Sequence, residues 1–164
     1  MLYKETLKVL ESQNNNNRLK LNTMARSKQL GQWAETEAVN LIKDAGYTII
    51  QQNYHSRFGE IDVIAVHDEK QELIFVEVKA RSATQWGHAY EVVTASKQIK
   101  IYKTALKFIE QHPQFHHHYY RFDVICFDFY KEIAKNLHQD ISNLAYDQQW
   151  IENAFTLNAD LINL

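Results

Sequence analysis

Two short stretches of this 164-residue chain bring together side chains that could do chemistry. One reads Leu73-Ile74-Phe75-Val76-Glu77-Val78-Lys79-Ala80-Arg81. Strand side chains alternate between faces, so Ile74, Val76 and Val78 share one face and Leu73, Phe75, Glu77 and Lys79 the other. A carboxylate and an ammonium thus enter the end of an apolar strand. Burying them costs free energy unless they pair, accept hydrogen bonds or hold a metal. The other stretch reads Gly59-Glu60-Ile61-Asp62-Val63-Ile64-Ala65. Alternation sets Glu60 and Asp62 on one face and Ile61, Val63 and Ala65 on the other. Neighbouring strands lie ~4.8 Å apart, so Asp62 can stand beside Glu77. Two adjacent carboxylates repel unless one is protonated or a cation lies between them. Their hard oxygen ligands suit Mg²⁺ or Mn²⁺, with water and a phosphate oxygen completing the shell. Such an ion activates water and stabilises a leaving oxygen in phosphodiester hydrolysis. Lys79 would supply positive charge to the attacking water or the crowded phosphoryl group. A third carboxylate, Glu35 or Glu37, precedes this pair on a helix. The two point roughly 160° apart, so one of them could face the cluster. The competing reading is a structural ion-pair cluster at a sheet end.

The elements that must position these residues follow from spacing. Leu30, Trp33 or Ala34, Ala38, Leu41, Ile42 and Ala45 mark one face of a helix starting near Lys28, and Gly46 suits its C-terminal cap. Strands are expected over 47–53, 59–66 and 72–80, with the polar run His67-Asp68-Glu69-Lys70-Gln71 as a hairpin turn. Thr94 or Ser96 can cap a second helix, which Pro113 stops. In projection Ile99, Tyr102, Ala105, Leu106 and Ile109 form its apolar side, and Lys97, Lys100, Lys103 and Lys107 the opposite side. That lysine stripe reads as a solvated face or as phosphate contacts, which Arg57, Lys79 and Arg81 could extend. Another strand is expected over 121–129, where Arg121 and Asp123 form either a local ion pair or a substrate contact. Cys126 lies in this apolar strand as an inert core residue. Tyr119 and Tyr120 read as packing residues. The tail from Ile141 shows no clear pattern. The order predicts an α/β fold with a mixed sheet packed against helices.

Composition narrows the function classes. The chain is 19.3 kDa, with four glycines, one proline and one cysteine. That excludes a disulfide framework, a thiolate zinc cluster and a Gly/Pro-rich architecture. The net charge of −2 argues against a strongly basic, non-specific DNA coat protein. No apolar run reaches the ~18 residues of a membrane helix, so a cytoplasmic protein without a membrane partner is expected. Residues 1–26 contain the tract Asn14-Asn15-Asn16-Asn17 and read as a weakly ordered segment, with Met24 a candidate start; residues 27–164 read as a single domain.

An Asp followed by a hydrophobic strand ending Glu-x-Lys, preceded by a helical Glu, resembles the PD-(D/E)XK nuclease superfamily. More closely, the chain resembles the YraN family of small bacterial endonuclease-like proteins. The matching stretches are Leu30-Gly31 with Glu35 and Ala38, Gly46-Tyr47, Asn53, Gly59-Glu60-Ile61-Asp62, Phe75-Val76-Glu77-Val78-Lys79 with Arg81, Lys97, Arg121 with Asp123-Val124, and Asn153-Ala154-Phe155. Ala34, His55 and Trp150 depart from residues common in that family. The resemblance implies a restriction-endonuclease-like mixed β-sheet flanked by helices. It implies Asp62, Glu77 and Lys79 as the catalytic core and Glu35 as the helical acidic residue, with Mg²⁺ or Mn²⁺ held by Asp62 and Glu77 and its shell completed by Glu35 directly or through water. The substrate it implies is nucleic acid, DNA first, in branched or single-stranded form, and fold-level analogy suggests a homodimer. Two further readings are a non-catalytic nucleic-acid-binding module and a scaffold protein without a nucleic-acid role.

Overall fold

Leu30, Ala34, Ala38, Val39 and Ile42 recur at three- and four-residue spacing, and in the computed structural model they are the buried side of helix α1, 24–44. The structure describes residues 24–81, 93–130 and 141–156. The helix is formed from Met24, four residues before the expected start. The expectations for residues 1–23 lie outside the described residues. At its C-terminus Gly46 takes φ of 89°; its N–H reaches the Lys43 carbonyl at 2.9 Å and that of Tyr47 the Ile42 carbonyl at 3.2 Å. This is a Schellman cap, in which glycine accepts the left-handed conformation without strain.

Five strands follow α1: β1 (Thr48–Ser56), β2 (Gly59–His67), β3 (Glu72–Arg81), then, after helix α2 (Ala95–Gln111), β4 (Tyr119–Phe129) and β5 (Tyr146–Ile151). They form one sheet in the order β1-β2-β3-β4-β5. β3 and β4 run parallel and the other pairs antiparallel. A parallel pair needs a long crossover, and α2 lies within it. The fold is therefore α/β with a mixed open sheet, consistent with the restriction-endonuclease-like class.

The sheet separates two cores. On one side α1 covers Val63, Ala65, Ile74, Val76, Val78, Ile125, Phe127 and Phe129. On the other, Ile101, Ala105 and Phe108 of α2 pack against Ile64, Val66, Leu73, Phe75, Phe122 and Val124. The alternation expected for β3 is thus observed. In β2 it breaks: Ile61 is buried with the α2-side residues and not with Val63 and Ala65. The irregularity lies where Asn53, with φ of 50°, falls between the pairs Gln52↔Val63 and Tyr54↔Ile61.

Two further expectations are corrected, and the unassigned tail gains an element. The buried side of α2 is Ile101, Thr104, Ala105 and Phe108, while Leu106 is exposed. The projection had centred on the flank of this face because Thr104 is polar; its hydroxyl is satisfied by Ser56 Oγ at 2.9 Å. Tyr119 and Tyr120 are exposed, although Tyr120 O–H donates to the Phe115 carbonyl. The tail contributes edge strand β5, whose residues are half-buried or exposed, so no alternation of apolar residues announced it.

Candidate metal and phosphodiester site

The β2–β3 ladder runs from His67↔Glu72 to Val63↔Val76 and stops there. Beyond it the Asp62 carboxylate, not a β2 carbonyl, accepts the Val78 N–H at 2.7 Å. The two strands part at this point, and the carboxylate is held by the backbone of β3, which here stays paired with β4. Glu77 is next to it and buried, with 2% of its side chain exposed. One of its oxygens, Oε1, accepts from Lys79 Nζ. The other, Oε2, has Lys97 Nζ at 3.2 Å. That ammonium is close enough for charge attraction but lies off the hydrogen-bond direction, and Oε2 accepts no hydrogen bond. Burial and the neighbouring Glu77 charge push the Asp62 carboxyl up to about 6, against the pull of the Val78 N–H, Lys79 and Lys97.

Helix α2 delivers Lys97 because its packing is fixed along the β1–β2 hairpin. Thr104 bonds Ser56, Gln111 accepts from the Tyr54 hydroxyl at 2.9 Å, and a Cβ on Gly59 would come within 3.3 Å of Lys100 Cβ. Glycine at position 59 therefore lets the helix approach. The first-turn amide of Lys97 donates to Thr94 Oγ1 at 3.3 Å, so Thr94 is the cap. Lys97 stands one turn before Ile101 on the inward side of the helix. The same spacing was visible in the sequence, but the lysine stripe drew it to the outward side.

The remaining sequence-chosen residues are placed as follows. Glu35, half-buried on α1, accepts from Asn53 Nδ2 at 3.3 Å, which brings it to β1 opposite the Asp62 position. Arg57 is exposed, its guanidinium 4.7 Å from the Phe58 ring centre. Lys100 is exposed and shares a cleft of about 470 Å³ with His55, Ser56, Phe58, Gly59, Glu60 and Lys97. Lys107 pairs with Glu110 at 2.7 Å. Lys103 and Arg81 are half-buried. The structure thus gathers Asp62, Glu77, Lys79 and Lys97, with Lys100 along the adjoining cleft. Lys107 is engaged elsewhere.

Arg121 and Asp123 form a local ion pair on the α1 side of the sheet, away from Glu77. Asp123 is fully buried and accepts from Arg121 Nε at 2.9 Å, Trp150 Nε1 at 2.8 Å and the Asn153 N–H at 2.9 Å. Arg121 also reaches the Tyr47 hydroxyl, which donates to Glu72 at 2.6 Å. Trp150, a departure from the family pattern, thus supplies a donor to a buried carboxylate.

A divalent cation fits the Asp62–Glu77 pair. Glu77 Oε2 is buried and meets Lys97 by charge attraction without a directed hydrogen bond, and burial together with the neighbouring Glu77 charge holds Asp62's proton affinity up. Among the described residues no three of His, Cys, Asp and Glu converge on one point. The donor set is therefore two carboxylates, which suits Mg²⁺ or Mn²⁺ retaining several waters.

Comparison with known proteins adds a family. The profile described as "Uncharacterised protein family UPF0102" matches residues 34–127, which include Glu35, Asp62, Glu77, Lys79 and Lys97. A UPF0102 protein of Acinetobacter baumannii strain SDF is 54% identical over 135 residues, 82% of this chain and all of that protein. One of Acinetobacter baylyi is 53% identical over 128 residues, 78% of this chain and 90% of its own length. One of Clostridium botulinum strain Hall is 38% identical over 131 residues, 80% of this chain and 97% of its own. No described helix is long and apolar enough to cross a membrane.

Proposed function

The chain belongs to the UPF0102, or YraN, family, and from that premise we propose that it is a Mg²⁺- or Mn²⁺-dependent nuclease that hydrolyses phosphodiester bonds in DNA. The observation that carries this reading is the electrostatic proximity of Asp62 and Glu77 where β2 and β3 separate, with Glu77 Oε2 buried and met by Lys97 without a directed hydrogen bond. Asp62 and Glu77 hold the cation. When bound, that ion supplies Lewis acidity to a phosphoryl oxygen and acidifies water. Lys79, anchored on β3 beside Glu77, places an ammonium where negative charge grows on the phosphoryl oxygens. Glu35 supports the site from α1 through Asn53, next to the Asp62 position. Lys100, Arg57 and Arg81 supply backbone phosphate contacts, which position a strand without reading its sequence.

Cleavage of labelled single-stranded, duplex, flapped and four-way-junction DNA in Mg²⁺, Mn²⁺ or EDTA tests the reading. The expected result is metal-dependent cutting, strongest on branched or single-stranded substrates, with Asp62→Asn and Glu77→Gln each reducing the rate at least about a hundredfold. Cutting that survives both substitutions would overturn the site. One observation favours a second reading, a non-catalytic nucleic-acid-binding module: both Glu77 oxygens already face lysines, so the cluster is charge-balanced without a cation. Salt-dependent DNA binding with no cutting on any substrate would select that reading.

A further inference from the structure

Lys97 is a poor choice for the first turn of α2 on helix grounds alone. The N-terminus of a helix carries partial positive charge, and this first turn contains no acidic residue to offset an added cation. Its side chain is also largely covered, with 28% exposed. What accounts for an ammonium there is Glu77, 3.2 Å away. The two oxygens of that carboxylate are treated differently. Oε1 receives a hydrogen bond from Lys79, its neighbour two residues along the same strand. Oε2 receives charge from Lys97 but no directed hydrogen bond. Lys97 comes from another element on a long flexible stem, and the cleft it lines with Lys100 gives its ammonium another place to go.

We infer that Lys97 is a tethered cation occupying, in the metal-free protein, the side of Glu77 that the divalent ion takes, so that metal entry displaces the Lys97 ammonium toward the cleft shared with Lys100. The inference rests on the proposed metal site and adds an exchange to it. Without a metal, Lys97 and Lys79 balance Asp62 and Glu77. With a metal, the same ammonium is released to face a substrate phosphate next to the cation. Lys97 is thus a positioning residue that links occupation of the carboxylates to the charge of the cleft. It also sets the metal affinity, because a dication must overcome a resident positive charge.

Mn²⁺ binding to the full chain, followed by electron paramagnetic resonance of the free ion, tests this without any cleavage. Wild type is compared with Lys97→Met, Lys97→Gln, Lys97→Arg and Glu77→Gln. Glutamine keeps a donor for Oε2 if methionine leaves the fold too weak to measure. Both neutral variants are expected to bind Mn²⁺ roughly tenfold more tightly than wild type, since a like charge has been removed at close range. Arginine is expected to bind no more tightly than wild type, and Glu77→Gln to lose the site. If Glu77→Gln abolishes binding while the neutral variants bind equally or more weakly than wild type, the exchange is overturned and the metal site stands. If Glu77→Gln binds as wild type does, the metal site itself is overturned and the exchange with it.

Discussion

Asp62 keeps its charge at neutral pH against burial and the Glu77 carboxylate, both of which favour the protonated form. Its carboxyl is pushed up to about 6 from 3.8. Between those values the folded protein holds a proton that the unfolded chain has released, so stability falls as pH rises through this window and levels off above it. Asp62→Asn removes the charge and keeps an oxygen for the Val78 N–H. In EDTA the variant should be more stable than wild type at pH 7.5, by up to about 3 kcal/mol, with little difference at pH 3.5. Thermal denaturation at both pH values measures this; a variant equally or less stable at pH 7.5 contradicts it. Gaining stability while losing a metal site would mark Asp62 as a residue held for function. Cys126 illustrates the opposite case: burial pushes its thiol up to about 11, which agrees with the sequence reading of an inert core residue.

The elements explain which parts of this chain could be read in advance. β3 was legible because the sheet buries it on both faces and its two sets of side chains enter two different cores. Helix α1 announced its glycine cap and most of its buried stripe, although Val39 joins that stripe and Ala45 is exposed beyond the helix end. The face of α2 was misplaced because the ridge facing the sheet includes polar Thr104 and begins with charged Lys97, whose partners lie on β1 and β3. A projection of one helix contains no information about those partners. β5 was missed for a related reason: its support comes from Asp123 on β4, which accepts from Trp150 and the Asn153 N–H. Asp123→Ala should therefore cost about 3 kcal/mol, since it leaves Arg121 largely buried without its nearest carboxylate. Urea denaturation reads that loss, and a change under about 1 kcal/mol would show that β5 is held by other means.

At the scale of the whole molecule, the arrangement is an asymmetry between the two faces of one sheet. The α1 side carries a closed, fully partnered polar network around Arg121 and Asp123, which stabilises the sheet edge and offers a substrate little. The α2 side carries a carboxylate pair with one oxygen that takes no directed hydrogen bond, two lysines and a cleft opening along Lys100. A net charge of −2 leaves no general attraction for DNA, so affinity must come from this local concentration of positive charge. The residue types of the site were legible in the two strands and in the family resemblance. The opposition of Lys97 to Glu77 was not, because it depends on how a helix in the β3–β4 crossover sits over the point where β2 and β3 part.

Diffraction from crystals grown or soaked with Mn²⁺, with anomalous data collected near the manganese edge, would locate the ion directly. One strong peak is expected between the Asp62 and Glu77 carboxylates, with the Lys97 ammonium moved away from Glu77 Oε2. A peak at another site with none at the carboxylate pair would contradict the proposed metal centre.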